Sequence, residues 1–163
     1  MSPGHGTVRR ECRTGLSVAT PVSYSGEHWY EDPMTDDARA ASASLYERLG
    51  GEMALMEAVD VFYSKVMADS VTRPFFEDLD MAAQTRKQLA FMARAFGGPK
   101  EYEGRDLRSA HAKLVREKGL SDVHFDAVAG HLEATLRELE VAEGLITEAL
   151  TIVASTRAEV LGR

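Results

Sequence analysis

A handful of polar side chains interrupt stripes of apolar residues, and these are the positions where the sequence can do chemistry. Leu107, His111, Leu114 and Val115 share one face at helical spacing, so an imidazole sits inside an apolar row. Met81, Gln84, Gln88 and Phe91 form a second row, with two amides one turn apart. Tyr63 follows Phe62 in a third. Buried polar groups need partners, because losing water without a replacement hydrogen bond is costly. Each position also has a plainer explanation. His111 is equally a core histidine bonded to a carbonyl, the glutamines an exposed edge, and Tyr63 a boundary ring with its hydroxyl in water.

Taken together, the three interruptions describe a pocket with an imidazole on one side and a phenol and two amides on another, walled by Phe75 and Phe76. Such a pocket suits a flat apolar cofactor whose iron binds imidazole on one face and a diatomic ligand on the other. Other metal chemistry has little to work with. Cys12 is the only cysteine, and no CxxC or paired Cys/His spacing occurs. A metal here is held by very few protein ligands or arrives inside a cofactor. His5 and His28 lie in the first segment, while His124 and His131 read as surface or supporting residues.

The elements that must position these side chains are helical. Ser44 and Glu47 form a capping box ahead of a short helix that stops at Gly50-Gly51. A second helix is expected from Glu52 to Ala68, with Met56, Val59, Phe62, Tyr63 and Val66 as its apolar stripe. Pro74 opens a turn bearing Phe75 and Phe76. Asp80 caps a third helix that ends at Gly97-Gly98-Pro99. A looser stretch with Gly104 precedes a helix from Leu107 to Lys118, stopped by Gly119. Ser121 or Asp122 caps a helix carrying Phe125, Val128, Leu132, Leu136 and Leu139. A last helix carries Leu145, Ile146, Leu150, Val153 and Leu161. Strand alternation is missing, and the expected class is all-α.

Bulk properties narrow the partners. The 163 residues carry a net charge of −7, which disfavours nucleic acid. No apolar run reaches the ~20 residues of a membrane helix, and a cytoplasmic location is expected. Residues 1–33 are rich in Gly, Pro, Ser and Thr. Residues 1–40 are therefore expected to be a disordered leader or to contain a mis-assigned start, the alternative start being Met34 with residues 1–33 ahead of it; a transit peptide is a further alternative. Arg9-Arg10 lacks the apolar segment of a twin-arginine signal. The folded domain is expected over residues 44–163.

From Ser44 to about Leu161 the chain resembles the group I truncated haemoglobins. The resemblance rests on the runs LYERLGG at 45–51, DVFYSKV at 60–66, RPFF at 73–76 and DMAAQ at 80–84. It continues through AFGGP at 95–99, YEGR at 102–105 and HFDAV at 124–128. Groups II and III usually place a tryptophan near the region of Val128, and none stands there. The resemblance implies a two-over-two helical sandwich around one haem b per chain. It also implies His111 as the proximal iron ligand and Tyr63 as the distal donor to iron-bound oxygen. Gln84 and Gln88 would face the distal pocket. Phe76 would pack on the haem face beside Phe75, with Leu107 and Lys87 also at the cofactor. Some relatives bond haem covalently through a histidine near the C-terminus; Ser155, Thr156 and Arg157 stand there, so a non-covalent link is expected.

The functions so implied are binding of oxygen, nitric oxide or carbon monoxide; nitric oxide dioxygenation, which would need a separate reductase; and six-coordinate redox or sensing chemistry with Lys87 on the iron. A lysine must shed its proton to ligate, against a reference pKa of about 10.4; otherwise Lys87 pairs with a propionate or an acid. The expected assembly is a monomer or weak dimer.

Overall fold

The computed structural model describes residues 42–99 and 106–163. The expected leader, with Cys12 and Trp29, and the YEGR run lie outside the described residues. Seven α-helices lie wholly within the described residues: α1 (Leu45–Arg48), α2 (Gly51–Ala68), α3 (Met81–Ala95), α4 (Leu107–Glu117), α5 (Asp122–Glu138), α6 (Glu143–Ser155) and α7 (Arg157–Val160). A 3-10 turn, Arg73–Phe75, links α2 to α3. No strand occurs among the described residues. The all-α class is as expected, and boundaries agree within a residue or two. The exception is the last helix, which breaks at Thr156 into α6 and α7.

Local chemistry sets the ends. The Ser44 hydroxyl accepts from the Glu47 amide at 3.2 Å, and the Glu47 carboxylate accepts from the Ser44 amide at 2.9 Å. Gly50, with φ of 101°, makes the turn into α2 that other residues adopt only with strain. Asp80 caps α3 by accepting from the Ala83 amide at 3.2 Å. Ser121, not Asp122, is the N-cap of α5.

The core joins Leu55, Val59, Phe62, Tyr63 and Val66 of α2 to Met92, Ala93 and Phe96 at the end of α3. Leu132 and Leu136 of α5 and Ile146 and Ala149 of α6 complete it, with Leu45 and Tyr46 closing one end. Burying each large apolar side chain contributes roughly 1.5–3 kcal/mol. Met56, expected in the α2 stripe, is 45% exposed; the helix buries Leu55 in that turn instead. The packed pairs are α2 with α3 and α5 with α6, and α2 also lies on α5. That is the two-over-two arrangement. Gly98 sits where α1 meets the end of α3, and a Cβ there would come within 2.8 Å of the Ala93 carbonyl and the Tyr46 ring.

The helix α4 is different. It packs chiefly on α7 and contributes no buried residue, although Leu107, Leu114 and Val115 make it amphipathic.

Candidate functional site

Tyr63 is carried inward by α2 and is 6% exposed. Its ring packs edge-on against Phe62 at 5.1 Å and Phe76 at 5.8 Å between centroids. The Gln84 side-chain amide, one turn into α3, donates from Nε2 to the Tyr63 hydroxyl at 3.2 Å. Loss of water around the buried phenol pushes its pKa up to about 12, against a smaller downward pull from the Gln84 bond. Tyr63 is thus not a boundary ring with its tip in water. Gln84 is half-buried, so this edge of α3 is neither core nor fully solvated. Gln88, a turn further on, is also half-buried and makes no hydrogen bond among the described residues. Lys87 is exposed and likewise uncommitted.

His111 stands half-buried in the middle of α4. Its Nδ1 lies 2.8 Å from the Leu107 carbonyl, one turn back. A carbonyl can only accept, so Nδ1 carries the proton and Nε2 of the neutral ring keeps its lone pair. The two expectations for His111 are thus compatible: one nitrogen is fixed by the backbone, and the other keeps a lone pair that could serve a metal.

The structure brings Tyr63, Gln84 and Phe76 together. Phe75 is buried elsewhere, edge-on to the His124 ring of α5 at 4.7 Å. It lines a shallow surface groove with Val71, Pro74 and Lys118 rather than joining Phe76 on Tyr63. His124 also caps its own helix, its Nδ1 accepting from the Ser121 amide at 3.2 Å. His131 pairs with Asp69 at 2.8 Å. The Val71 amide and then His131 hold the Asp69 carboxyl below the usual carboxylate range.

These residues fit haem. The apolar row of α4 and the row of Met81, Leu89 and Phe91 on α3 stay half-buried, leaving apolar surface for a planar hydrophobic group. The lone pair of His111 Nε2, on the α4 row, is of the donor type that would hold haem iron. Among the described residues no three His, Cys, Asp or Glu side chains gather as a metal site of their own. Nor is any helix there long and apolar enough to cross a membrane.

Sequence reasoning missed Arg108, which ties α4 to the backbone of residues 162 and 163. No local pattern signals a partner 54 residues away.

Comparison with known proteins agrees with the fold. The bacterial-like globin family model matches residues 44–161. Group 1 truncated hemoglobin LI410 of Chlamydomonas moewusii is 51% identical over 118 residues, 72% of this chain and 68% of that protein. Group 1 truncated hemoglobin GlbN of Synechocystis sp. is 49% identical over 110 residues, 68% of this chain and 89% of that protein. The solved 2/2 hemoglobin of Synechococcus sp. PCC 7002, in the cyanomet state with covalently attached heme, superposes with a TM-score of 0.72 at 50% identity. That alignment covers 74% of this chain and all of the other. With the fold and these relatives in accord, the chain belongs to the bacterial-like globins, as a group 1 truncated haemoglobin whose cofactor is haem of the b type usual in the family.

Proposed function

We propose that this globin binds oxygen, and with it nitric oxide or carbon monoxide, at haem iron held by His111, and that Tyr63, Gln84 and Gln88 stabilise the bound gas. Haem, when bound, would supply an iron able to take a diatomic gas, and His111 would be the residue that holds it. The Leu107 carbonyl holds the His111 ring in the tautomer that leaves Nε2 basic.

The observation that carries the distal half of this reading is the direction of one hydrogen bond. Gln84 donates to Tyr63, so the phenol oxygen is satisfied as an acceptor while its own hydrogen remains to be given. Burial keeps that hydrogen in place far above neutral pH. A fixed, partly dehydrated O–H stabilises negative charge developing on a ligand more than water does. The free amide of Gln88 is a second donor of the same kind. Phe76 packs on the Tyr63 ring and limits its swing.

The test is the oxygen dissociation rate of Tyr63→Phe. A bond of this sort contributes ~1–2 kcal/mol, so the rate should rise about tenfold. A rate equal to that of the unsubstituted protein overturns the assignment of Tyr63.

A further inference from the structure

The helix that carries His111 holds no buried residue, so core packing alone does not fix the imidazole. Basic side chains tie it at both ends. Lys118, just past the last turn, donates from Nζ to the Pro74 carbonyl at 2.6 Å and lies 3.5 Å from the Asp78 carboxylate. Arg108, in the first turn, spreads its guanidinium over two successive backbone oxygens, those of Gly162 at 3.0 Å and Arg163 at 2.6 Å.

The far side of the Arg108 tie is itself anchored. Arg163 Nη2 reaches both oxygens of Asp122, at 2.7 and 2.6 Å. Asp122 also accepts from Arg157 at 3.0 Å. Arg157 in turn bonds Asp126 and lies 4.5 Å above the ring of buried Phe125. The chain of bonds thus ends in α5, whose Leu132 and Leu136 belong to the core.

The near side leads to the iron ligand through one rigid unit. The Leu107 carbonyl and the Arg108 nitrogen belong to the same planar peptide group. That carbonyl is the one His111 Nδ1 bonds at 2.8 Å. We propose that Arg108 is a positioning residue for the proximal histidine: by locking its peptide plane to the Gly162–Arg163 backbone, it sets the orientation in which His111 meets haem iron. The proposal rests on His111 being the iron ligand. One exposed ion pair is worth little, but here the guanidinium bonds two backbone oxygens and is continuous with a four-residue charged cluster.

The iron–histidine stretching band of the ferrous protein, read by resonance Raman, and the rate of haem transfer to a scavenging apoglobin together test it. Arg108→Ala should shift and broaden the band and raise the haem-release rate about three- to tenfold. Asp122→Asn loosens the anchor without touching α4, and should move both readouts the same way by less. Arg116→Ala removes an exposed charge from the same helix that, among the described residues, reaches only the Glu117 side chain, and should move neither. Loss of the band in His111→Ala combined with an unmoved band and release rate in Arg108→Ala overturns the tether and leaves the ligand standing. A band that survives His111→Ala removes the ligand, and the proposal with it. If Arg108→Ala fails to fold, Asp122→Asn decides alone: an unmoved band and release rate there overturn the tether.

Discussion

Gln84 and Tyr63 are joined across α2 and α3 by a 3.2 Å hydrogen bond that runs from amide to phenol. The two residues are 21 positions apart in the chain, and the bond makes them one donor unit rather than two independent side chains.

A double-mutant cycle checks that unity. Tyr63→Phe and Gln84→Leu should each speed oxygen release, Tyr63→Phe by about tenfold and Gln84→Leu by less. The double variant should fall short of the product of the two, since each single change already disturbs the shared bond. Effects that multiply cleanly would show that Gln84 does not act through Tyr63.

Alkaline titration reads the same unit without any ligand. Burial raises the Tyr63 pKa from 10 to about 12, so between those values the folded protein keeps a proton that the unfolded chain has lost. The resulting stabilisation is complete below pH 10 and disappears as the pH climbs through 12. Ultraviolet difference absorbance should show one tyrosine ionising later than the others, near the onset of alkaline unfolding. Tyr63→Phe should delete that late component; a late component that persists assigns it to another tyrosine.

Lys87 sits between Gln84 and Gln88 on α3, exposed and without an ion pair among the described residues. If its amine is a sixth ligand, it coordinates only when neutral, so the low-spin fraction of the ferric protein should rise with pH and vanish in Lys87→Ala. A visible spectrum indifferent to both pH and that substitution rules the lysine out of the iron's coordination.

Ser155, Thr156 and Arg157 stand at the junction of α6 and α7, and none of them carries an imidazole. Acidified butanone should therefore carry the haem into the organic layer, unlike the covalently attached heme of the Synechococcus protein. Haem retained on the polypeptide would contradict a non-covalent link.

Much of this was legible in the sequence because the signals are local. Ser44, Asp80 and the glycine pairs fix helix ends within a few residues of themselves, and apolar spacing reports which face of α2 or α5 turns inward. The three polar interruptions were visible for the same reason. What local pattern does not carry is direction across space. Nothing in the Phe75-Phe76 pair says that one ring turns to Tyr63 and its neighbour to His124. Met56 fits the helical period as well as Leu55 does, yet the crossing of α2 over its neighbours buries the latter. The break at Thr156 is not marked by glycine or proline, and the partner of Arg108 lies at the other end of the domain.

Gly98 has a consequence that reaches beyond a single molecule. With the Ala93 carbonyl and the Tyr46 ring both 2.8 Å from where a Cβ would stand, even alanine would displace the short first helix from the end of α3. Gly130 and Gly144 have open space around the same point and ordinary backbone angles. Descent should therefore have treated these glycines unequally: across the lineage position 98 stays frozen so long as an aromatic ring occupies position 46, while 130 and 144 drift freely.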